Sequence, residues 1–287
     1  MKTNQDQRIF SALNHAITTL AGNPPILLPY ITLAFIQLFI LEIFFFSPQF
    51  PLSFIFGPIV RKLWGEQFLH YPVNFMLLPR IWQAIQTPFY IFVSSFFICL
   101  SLTALVAINE GQTVKKEDLR KKARGLYIQV LAAAFCAFLL LFLIFQLFEL
   151  VQNRAVLIRA TSGVTYLIKR IVLDGSAYWG LAISIVVTTI FAYIIPIIIA
   201  DSRKFFPAFK AGLKMLGRSF WFTFGLIIVA YLCYVPIILL RQLSLVYTAM
   251  PDLTLLTLIL SILVMIAIDA VVYTALTTFY LMQKENQ

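Results

Sequence analysis

Long apolar runs joined by more polar connectors recur along nearly the whole chain. A hydrocarbon core about 30 Å thick is crossed by roughly 20 apolar residues in a helix. Each run is predicted to be helical, because backbone groups in lipid must pair within their own segment. The predicted spans are about 25–46, 88–109, 127–151, 177–200, 219–241 and 254–282. The pattern therefore predicts an all-α integral membrane protein with six transmembrane helices.

Composition supports a single polytopic membrane domain over 1–287. Hydrophobic residues make up 61% of the chain, charged residues only 12%, and the mean hydropathy is +0.91. These values are far from those of an ordinary soluble domain. A basic segment followed at once by an apolar one is missing at the start, so we expect no cleavable signal peptide. The three cysteines lie inside apolar runs without metal-ligand spacing, which favours a role as small core residues.

The distribution of positive charge predicts the orientation. With the N-terminus inside, the cytoplasmic connectors and tails carry 14 of the 22 Lys and Arg residues. Cytoplasmic loops of membrane proteins carry such an excess. We therefore expect both termini in the cytoplasm of a bacterial cell, with the chain in its inner membrane. The charge of +10 is expected to face anionic lipid headgroups rather than nucleic acid.

An amphipathic segment precedes each odd-numbered span on the predicted cytoplasmic side, which gives three elbow-plus-hairpin units. The first elbow covers 5–22, the middle one lies near Leu119 to Tyr127, and the clearest begins at Phe205. When Ala12-Leu13 is set over Ala208-Phe209, the apolar positions of two elbows coincide. The predicted apolar faces are Ile9, Phe10, Leu13, Ala16, Ile17 and Leu20 in the first elbow, and Phe205, Phe206, Phe209, Leu213, Leu216 and Phe220 in the third.

Cations cluster on the opposite faces of the middle and third elbows. In-plane helices of this kind place an apolar face in the acyl boundary and cations among phosphates. The simpler interpretation is that the elbows seat the bundle, and the functional one is a surface for phospholipids or a partner protein. The candidate headgroup contacts are Lys115, Lys116, Arg120, Lys121, Lys122, Arg124, Arg203, Lys204, Lys210, Lys214 and Arg218.

Two outer loops, 47–87 and 152–176, are long and apolar. Prolines divide the first loop into short pieces that carry Trp64, Tyr71 and Trp82. Aromatic residues of this type favour the headgroup level. We expect both loops to lie on the outer leaflet and to cover either the helix ends or a cavity between the spans.

Asp269 is the sharpest single signal, because it lies near the middle of the sixth predicted span. An ionisable group at that depth is costly and is a functional candidate. Tyr273 is four residues further on the same helix face and is the expected partner. The functional interpretation is a midplane polar site, and the structural one is a single hydrogen bond to a neighbouring helix.

Other polar residues lie at or within the spans. Glu42, Glu149 and Arg241 fall near the outer ends of three spans, where an outer ion pair between Arg241 and one of the glutamates is expected. Gln37 and Gln146 lie inside spans and are expected to form hydrogen bonds between helices. The sequence lacks HExxH, G-x-S-x-G and P-loop motifs, so we predict no catalytic residue, no metal site and no cofactor.

Three runs resemble a known family: IPIIIAD (195–201), FPAFKAG (206–212) and GRSFWFTFG (217–225). Together with the opening Ala12-Leu13, Gly22-Asn23-Pro24 and Leu27-Leu28-Pro29, they are similar to the six-span domain fused to some bacterial glycerophosphodiester phosphodiesterases. The same pattern occurs in stand-alone bacterial inner-membrane proteins. The resemblance implies an all-helical inner-membrane protein linked to lipid or envelope homeostasis. The H-R-G signature of the phosphodiesterase domain is not in the sequence, so no catalytic residue carries over.

Two functions from different classes follow. The first is a non-enzymatic membrane protein that engages phospholipids or a partner protein through its basic elbows. The second is a small permease or lipid transporter with a midplane site around Asp269. An intramembrane enzyme is the third and least favoured, and the sequence leaves the ligand and the oligomeric state open.

Overall fold

The computed structural model describes residues 3–70, 73–112, 115–158, 162–246 and 251–285, which form helices and no strand. A 3₁₀ turn (Glu66–Leu69) follows α3, and a π-helical turn (Tyr90–Ser94) follows α4. The α-helices in chain order are α1 (Thr3–Gly22), α2 (Pro24–Phe46), α3 (Leu52–Trp64), α4 (Val73–Phe89), α5 (Ser95–Asn109), α6 (Lys116–Leu157), α7 (Gly163–Asp174), α8 (Ser176–Phe191), α9 (Ile194–Asp201), α10 (Phe205–Leu232), α11 (Val235–Val246) and α12 (Pro251–Glu285).

Six segments are long and apolar enough to cross a membrane, which confirms the predicted number of spans. The second is the most buried, and its helix α5 packs against α2, α6, α9 and α12 at the centre of the bundle. The six segments are Pro24–Phe46, Ile81–Asn109, Lys116–Leu157, Tyr178–Asp201, Phe205–Gln242 and Asp252–Glu285. The fold is therefore that of a multi-pass membrane protein.

The first loop predicted to be on the outer side, 47–87, is more helical than the sequence suggests. Its second half belongs to α4, which continues through the π-helical turn into α5 and so lengthens the second span. Pro79 and Pro88 lie inside α4 without ending it. Proline is tolerated in membrane helices because neighbouring groups satisfy the freed carbonyls. The second outer loop contains α7, whereas residues 71–72 and 159–161 of the two predicted loops lie outside the described residues.

The fourth and fifth spans are each interrupted shortly before a proline. The fourth breaks between α8 and α9 ahead of Pro196, and the fifth breaks between α10 and α11 ahead of Pro236. Proline has no N–H to donate to the carbonyl four residues earlier and its ring clashes with that carbonyl. Both breaks fall about four residues before the proline, where this hydrogen bond is lost.

Only the first elbow is a helix of its own, separated from its span at Asn23. The third elbow and the fifth span share α10, with a kink at Ser219 (φ −124°, ψ 23°). The middle elbow and the third span form the single 42-residue helix α6. The division into three elbows and three hairpins predicted from the sequence is thus not confirmed, because the middle elbow continues into its span and the third is set off only by a kink.

The alignment of Ala12-Leu13 with Ala208-Phe209 also places Asn23 over Ser219, so both aligned segments are interrupted at the same position. Their exposure agrees as well. Phe10 and the equivalent Phe206 are 62% and 75% exposed, while Ala16 and the equivalent Gly212 are buried. The two helices therefore present the same faces to their surroundings.

The predicted apolar faces of these elbows divide into two in the structure. One set packs into the bundle and the other is exposed, because residues that face lipid are as apolar as residues that face protein. The buried set is Ile9, Leu13, Ala16 and Leu20 in α1 and Leu216 in α10, while Phe205 and Phe209 of α10 are half-buried. The exposed set is Phe10, Ile17, Phe206, Leu213 and Phe220.

Candidate functional site

Asp269 lies in the buried part of α12, and its Oδ2 accepts a 3.1 Å hydrogen bond from the Tyr90 hydroxyl. Tyr90 begins the π-helical turn of the second span. Turns of this type frequently occur at functional sites because they alter the direction of the side chains they carry. The bond therefore joins the second and sixth spans inside the bundle.

Tyrosines surround this carboxylate from several helices. Tyr30 of α2, Tyr231 of α10 and Tyr273 of α12 all interact with Asp269 electrostatically, and Tyr231 also shares a 3.1 Å hydrogen bond with Thr188. Tyr273 thus lies in the same cluster, as its spacing from Asp269 suggests. The hydrogen bond to the carboxylate comes from Tyr90, which the sequence did not single out. We call these five residues the Asp269 cluster: Tyr30, Tyr90, Tyr231, Asp269 and Tyr273.

Two cavities lie away from the Asp269 cluster. One of about 460 Å³ is lined by Glu42, Phe50 and Phe56 among others, at the end of α2 and beside α3. The other, of about 330 Å³, lies between α6 and α7 and includes Arg154. Neither is bordered by Asp269.

A second acidic residue, Asp201, ends α9 and joins three parts of the chain. Its side chain is only 7% exposed. The Tyr280 hydroxyl donates to Oδ2 at 2.8 Å, Lys284 Nζ to Oδ1 at 2.8 Å, and Arg203 Nε to Oδ2 at 3.0 Å. Hydrogen bonds between charged groups are about twice as strong as neutral ones. Asp201 therefore holds the end of the fourth span against the end of the sixth.

Asp201 also marks one side of the bundle. The last turn of α12 meets α9 there, and α1 packs against α12 and α10. We call this the terminal side, because it carries the N-terminal helix and the C-terminal end of α12. The basic elbows of α6 and α10 lie N-terminal to their apolar stretches, just as α1 lies N-terminal to α2. These elbows therefore lie on the terminal side too.

The candidate headgroup cations on α6, α10 and their N-terminal connectors are exposed, apart from the half-buried Lys122. Arg203 is committed to Asp201. The ion pairs of the described residues do not include the lysines or Arg218 of α10, so these cations are available to an external anion. The exposed members are Lys115, Lys116, Arg120, Lys121, Arg124, Arg203, Lys204, Lys210, Lys214 and Arg218.

Glu42, Glu149 and Arg241 are all exposed. The outer ion pair of Arg241 with Glu42 or Glu149 stays a prediction. The pairs on the side opposite the termini are Arg61–Glu66 and Arg170–Asp174, both between exposed side chains.

Five residues of these clusters were not recognised from the sequence: Tyr30, Tyr90, Tyr231, Asp201 as a hydrogen-bond acceptor, and Tyr280. Tyr90 is separated by 179 residues from the carboxylate that it contacts, so no local spacing connects them. Asp201 carried a usable signal, because it is the acidic residue of the P-x-x-x-x-D run at the end of the fourth span. Among the described residues, His, Cys, Asp and Glu form no group of three that could hold a metal ion.

The fold and these clusters define a polytopic α-helical membrane protein with a buried polar cluster inside and exposed cations on its terminal side. Comparison of the chain with protein-family models, curated proteins and solved structures finds no match.

Proposed function

We propose that this chain is a non-enzymatic protein of the bacterial inner membrane that binds anionic phospholipid headgroups through exposed basic elbows on its cytoplasmic side. Both termini are then cytoplasmic, and the terminal side faces the cytoplasm. A role in lipid or envelope homeostasis is consistent with the resemblance to the membrane domain of glycerophosphodiester phosphodiesterases.

The first half of α10 carries the proposal, because it has three distinct faces. Ala208, Gly212 and Leu216 pack into the bundle. At about 100° per residue, a second face is apolar and exposed, and a third is basic and exposed. The exposed apolar residues are Phe206 and Leu213, and the exposed cations are Lys210, Lys214 and Arg218.

A helix with this arrangement suits the boundary between acyl chains and headgroups. The apolar face enters the acyl region while the cations remain among the phosphates. Each Lys or Arg near an anionic leaflet contributes about 1 kcal/mol. The start of α6 adds a second group of exposed cations, offset by only two acidic residues, Glu117 and Asp118.

A phospholipid is favoured over a protein partner by the neighbouring apolar surface. Phe206 is exposed about a quarter turn or less from the basic face, and Trp221 is exposed just beyond the kink at Ser219. A phospholipid supplies both an anion and acyl chains in this geometry. A cytoplasmic protein docked on the cations would not itself contact the exposed apolar residues.

The permease alternative rests on the Asp269 cluster. A buried carboxylate surrounded by hydroxyl groups is able to bind a polar substrate or a proton. The two cavities described above are lined by other residues, and the Tyr90 hydroxyl donates to the carboxylate. On this alternative Asp269→Asn abolishes transport, whereas on the proposed function it affects only stability.

Trp221, which is exposed next to the basic face, serves as a probe for the bound lipid. A variant with Trp64, Trp82 and Trp179 changed to Phe leaves it as the single tryptophan. In phosphatidylcholine vesicles, brominated phosphatidylglycerol is expected to quench Trp221 several-fold more than the same fraction of brominated phosphatidylcholine.

The variant Lys210→Gln/Lys214→Gln/Arg218→Gln should remove this difference between the lipids. Its matched control, Arg61→Gln/Lys62→Gln/Arg170→Gln, makes the same charge change on the opposite side and should retain it. Equal quenching by the two lipids in the wild-type protein would show that the proposed function is wrong.

A further inference from the structure

The helix α6 is poorly covered by the rest of the protein. Only 11% of its apolar window is buried, against 67% for the second span. One side of α6 packs on α5 and α8, and the other side is exposed over the length of the apolar stretch.

The exposed side of α6 follows a heptad pattern. Side chains separated by alternating steps of three and four residues form one continuous face, which is the a/d seam of a coiled coil. Leu143, Leu150 and Leu157 extend this face at the neighbouring e positions. The a and d residues are Ile128, Ala132, Phe135, Leu139, Phe142, Gln146, Glu149, Asn153 and Val156, all of them exposed except the half-buried Ala132.

Gln146 is the polar member of this face that lies within the hydrocarbon. It is about 14 Å from the middle of the charge-free stretch 125–148, just inside the half-thickness of the hydrocarbon of about 15 Å. The amide is exposed and has no hydrogen-bond partner among the described residues. An amide that faces acyl chains without a partner is costly.

A second copy of the same chain supplies the missing partner. A carboxamide both donates and accepts, so two Gln146 side chains related by a two-fold axis satisfy each other. Acyl chains offer no such group at this depth. A two-fold axis along the membrane normal also aligns the two heptad faces in parallel, so that the apolar a and d residues pack together.

We propose that the chain forms a parallel homodimer in the membrane through the heptad face of α6, with Gln146 of the two copies hydrogen bonded at the interface. Glu149 lies one turn further toward the headgroups. The two Glu149 carboxylates repel each other in this dimer, so this residue limits the affinity and gives a variant that should strengthen association.

Disulfide cross-linking in vesicles tests the face directly. In a background with Cys99, Cys136 and Cys233 changed to Ala, single cysteines replace Phe135, Leu139 or Phe142 on the heptad face, or Ala137 or Leu141 on the bundle side. We expect several-fold more cross-linking at the first three positions, which persists when the vesicles are diluted with lipid. Equal cross-linking at all five positions, or its loss in proportion to dilution, overturns the proposal.

Gln146 is tested by the lipid-to-protein ratio at which cross-linking of Leu139→Cys falls to half. Gln146→Leu should lower this ratio by about threefold or more, since a hydrogen bond between membrane helices contributes about 0.6–2 kcal/mol. The matched variant Gln146→Leu/Leu147→Gln moves the amide off the face at constant composition and should not restore the ratio. Glu149→Gln should raise this lipid-to-protein ratio above the value measured with Glu149 present. An unchanged ratio in Gln146→Leu overturns the role of Gln146.

Discussion

Gly212 lies so close to Ile194 that a Cβ on the glycine would be 3.1 Å from Ile194 Cγ1 and 3.5 Å from the Ile194 backbone nitrogen. This contact brings the elbow half of α10 against the start of α9. A side chain at residue 212 would separate the two helices, so the glycine sets the position of the basic face relative to the bundle.

Gly212→Ala should therefore destabilise the protein by about 1–2 kcal/mol, because overpacking outweighs the higher helix propensity of alanine. Gly217→Ala is the matched control on the same helix, since a Cβ there has no atom within 4 Å. It should leave the free energy of unfolding unchanged or raise it by up to about 1 kcal/mol. Detergent-unfolding titrations measure both, and equal effects of the two variants would contradict the close packing at Gly212.

Removal of the Tyr280 hydroxyl should weaken the join between the fourth and sixth spans. Tyr280→Phe deletes the 2.8 Å hydrogen bond to the largely buried Asp201 carboxylate, and we expect a loss of about 1.5–3 kcal/mol in the free energy of unfolding. Tyr166→Phe, on the exposed surface of α7, should change the same quantity by less than about 0.5 kcal/mol. A stability loss no larger than that of the control would mean that the bond does not form.

Tyr90 and Asp269 should be energetically coupled. Tyr90→Phe leaves a buried carboxylate without its donor, whereas Tyr90→Phe/Asp269→Leu removes both polar groups. The double variant should thus be less destabilised than the sum of the single ones, with a coupling of about 0.5–3 kcal/mol in a double-mutant cycle.

Ser261 supplies the control cycle. Its hydroxyl pairs with Tyr234 at 2.7 Å, about 12 Å along α12 from Asp269. Ser261→Ala and Asp269→Leu should therefore act additively within about 0.5 kcal/mol. Additivity in the Tyr90 cycle as well would show that the Asp269 hydrogen bond contributes nothing to the fold.

The number of spans was predictable because apolar length is a property of the sequence itself. The lengths of α6 and α10, which contain the third and fifth spans, were not predictable. Hydropathy changes at the membrane boundary, while the helix continues across it. Ser219 illustrates this point: the predicted span begins there, and the structure shows a kink within α10 rather than an end.

The sequence also did not predict which residues of each apolar face pack into the bundle and which are exposed. Phe206 and Leu216 have similar hydrophobicity, yet the former is exposed and the latter buried. Small residues carry the missing information, because Ala16, Ala208 and Gly212 mark the faces that approach other helices most closely.

The position of Asp269 was predicted, and its hydrogen-bond donor was not. Tyr273 was expected from the helical spacing alone, whereas Tyr90 comes from a distant span and is aligned by the π-helical turn. A contact of this kind depends on the packing of two helices, which the pattern along either one does not specify.

The central claim is that the basic elbows of α6 and α10 lie on the same, cytoplasmic side of the membrane. Single cysteines at the exposed positions Lys121 and Lys214, in a protein without other cysteines, test it with a membrane-impermeant maleimide on sealed vesicles. We expect both to be labelled only in inside-out vesicles, and Arg61→Cys and Arg170→Cys only in right-side-out vesicles. Labelling of Lys121→Cys and Lys214→Cys from opposite sides would contradict the account.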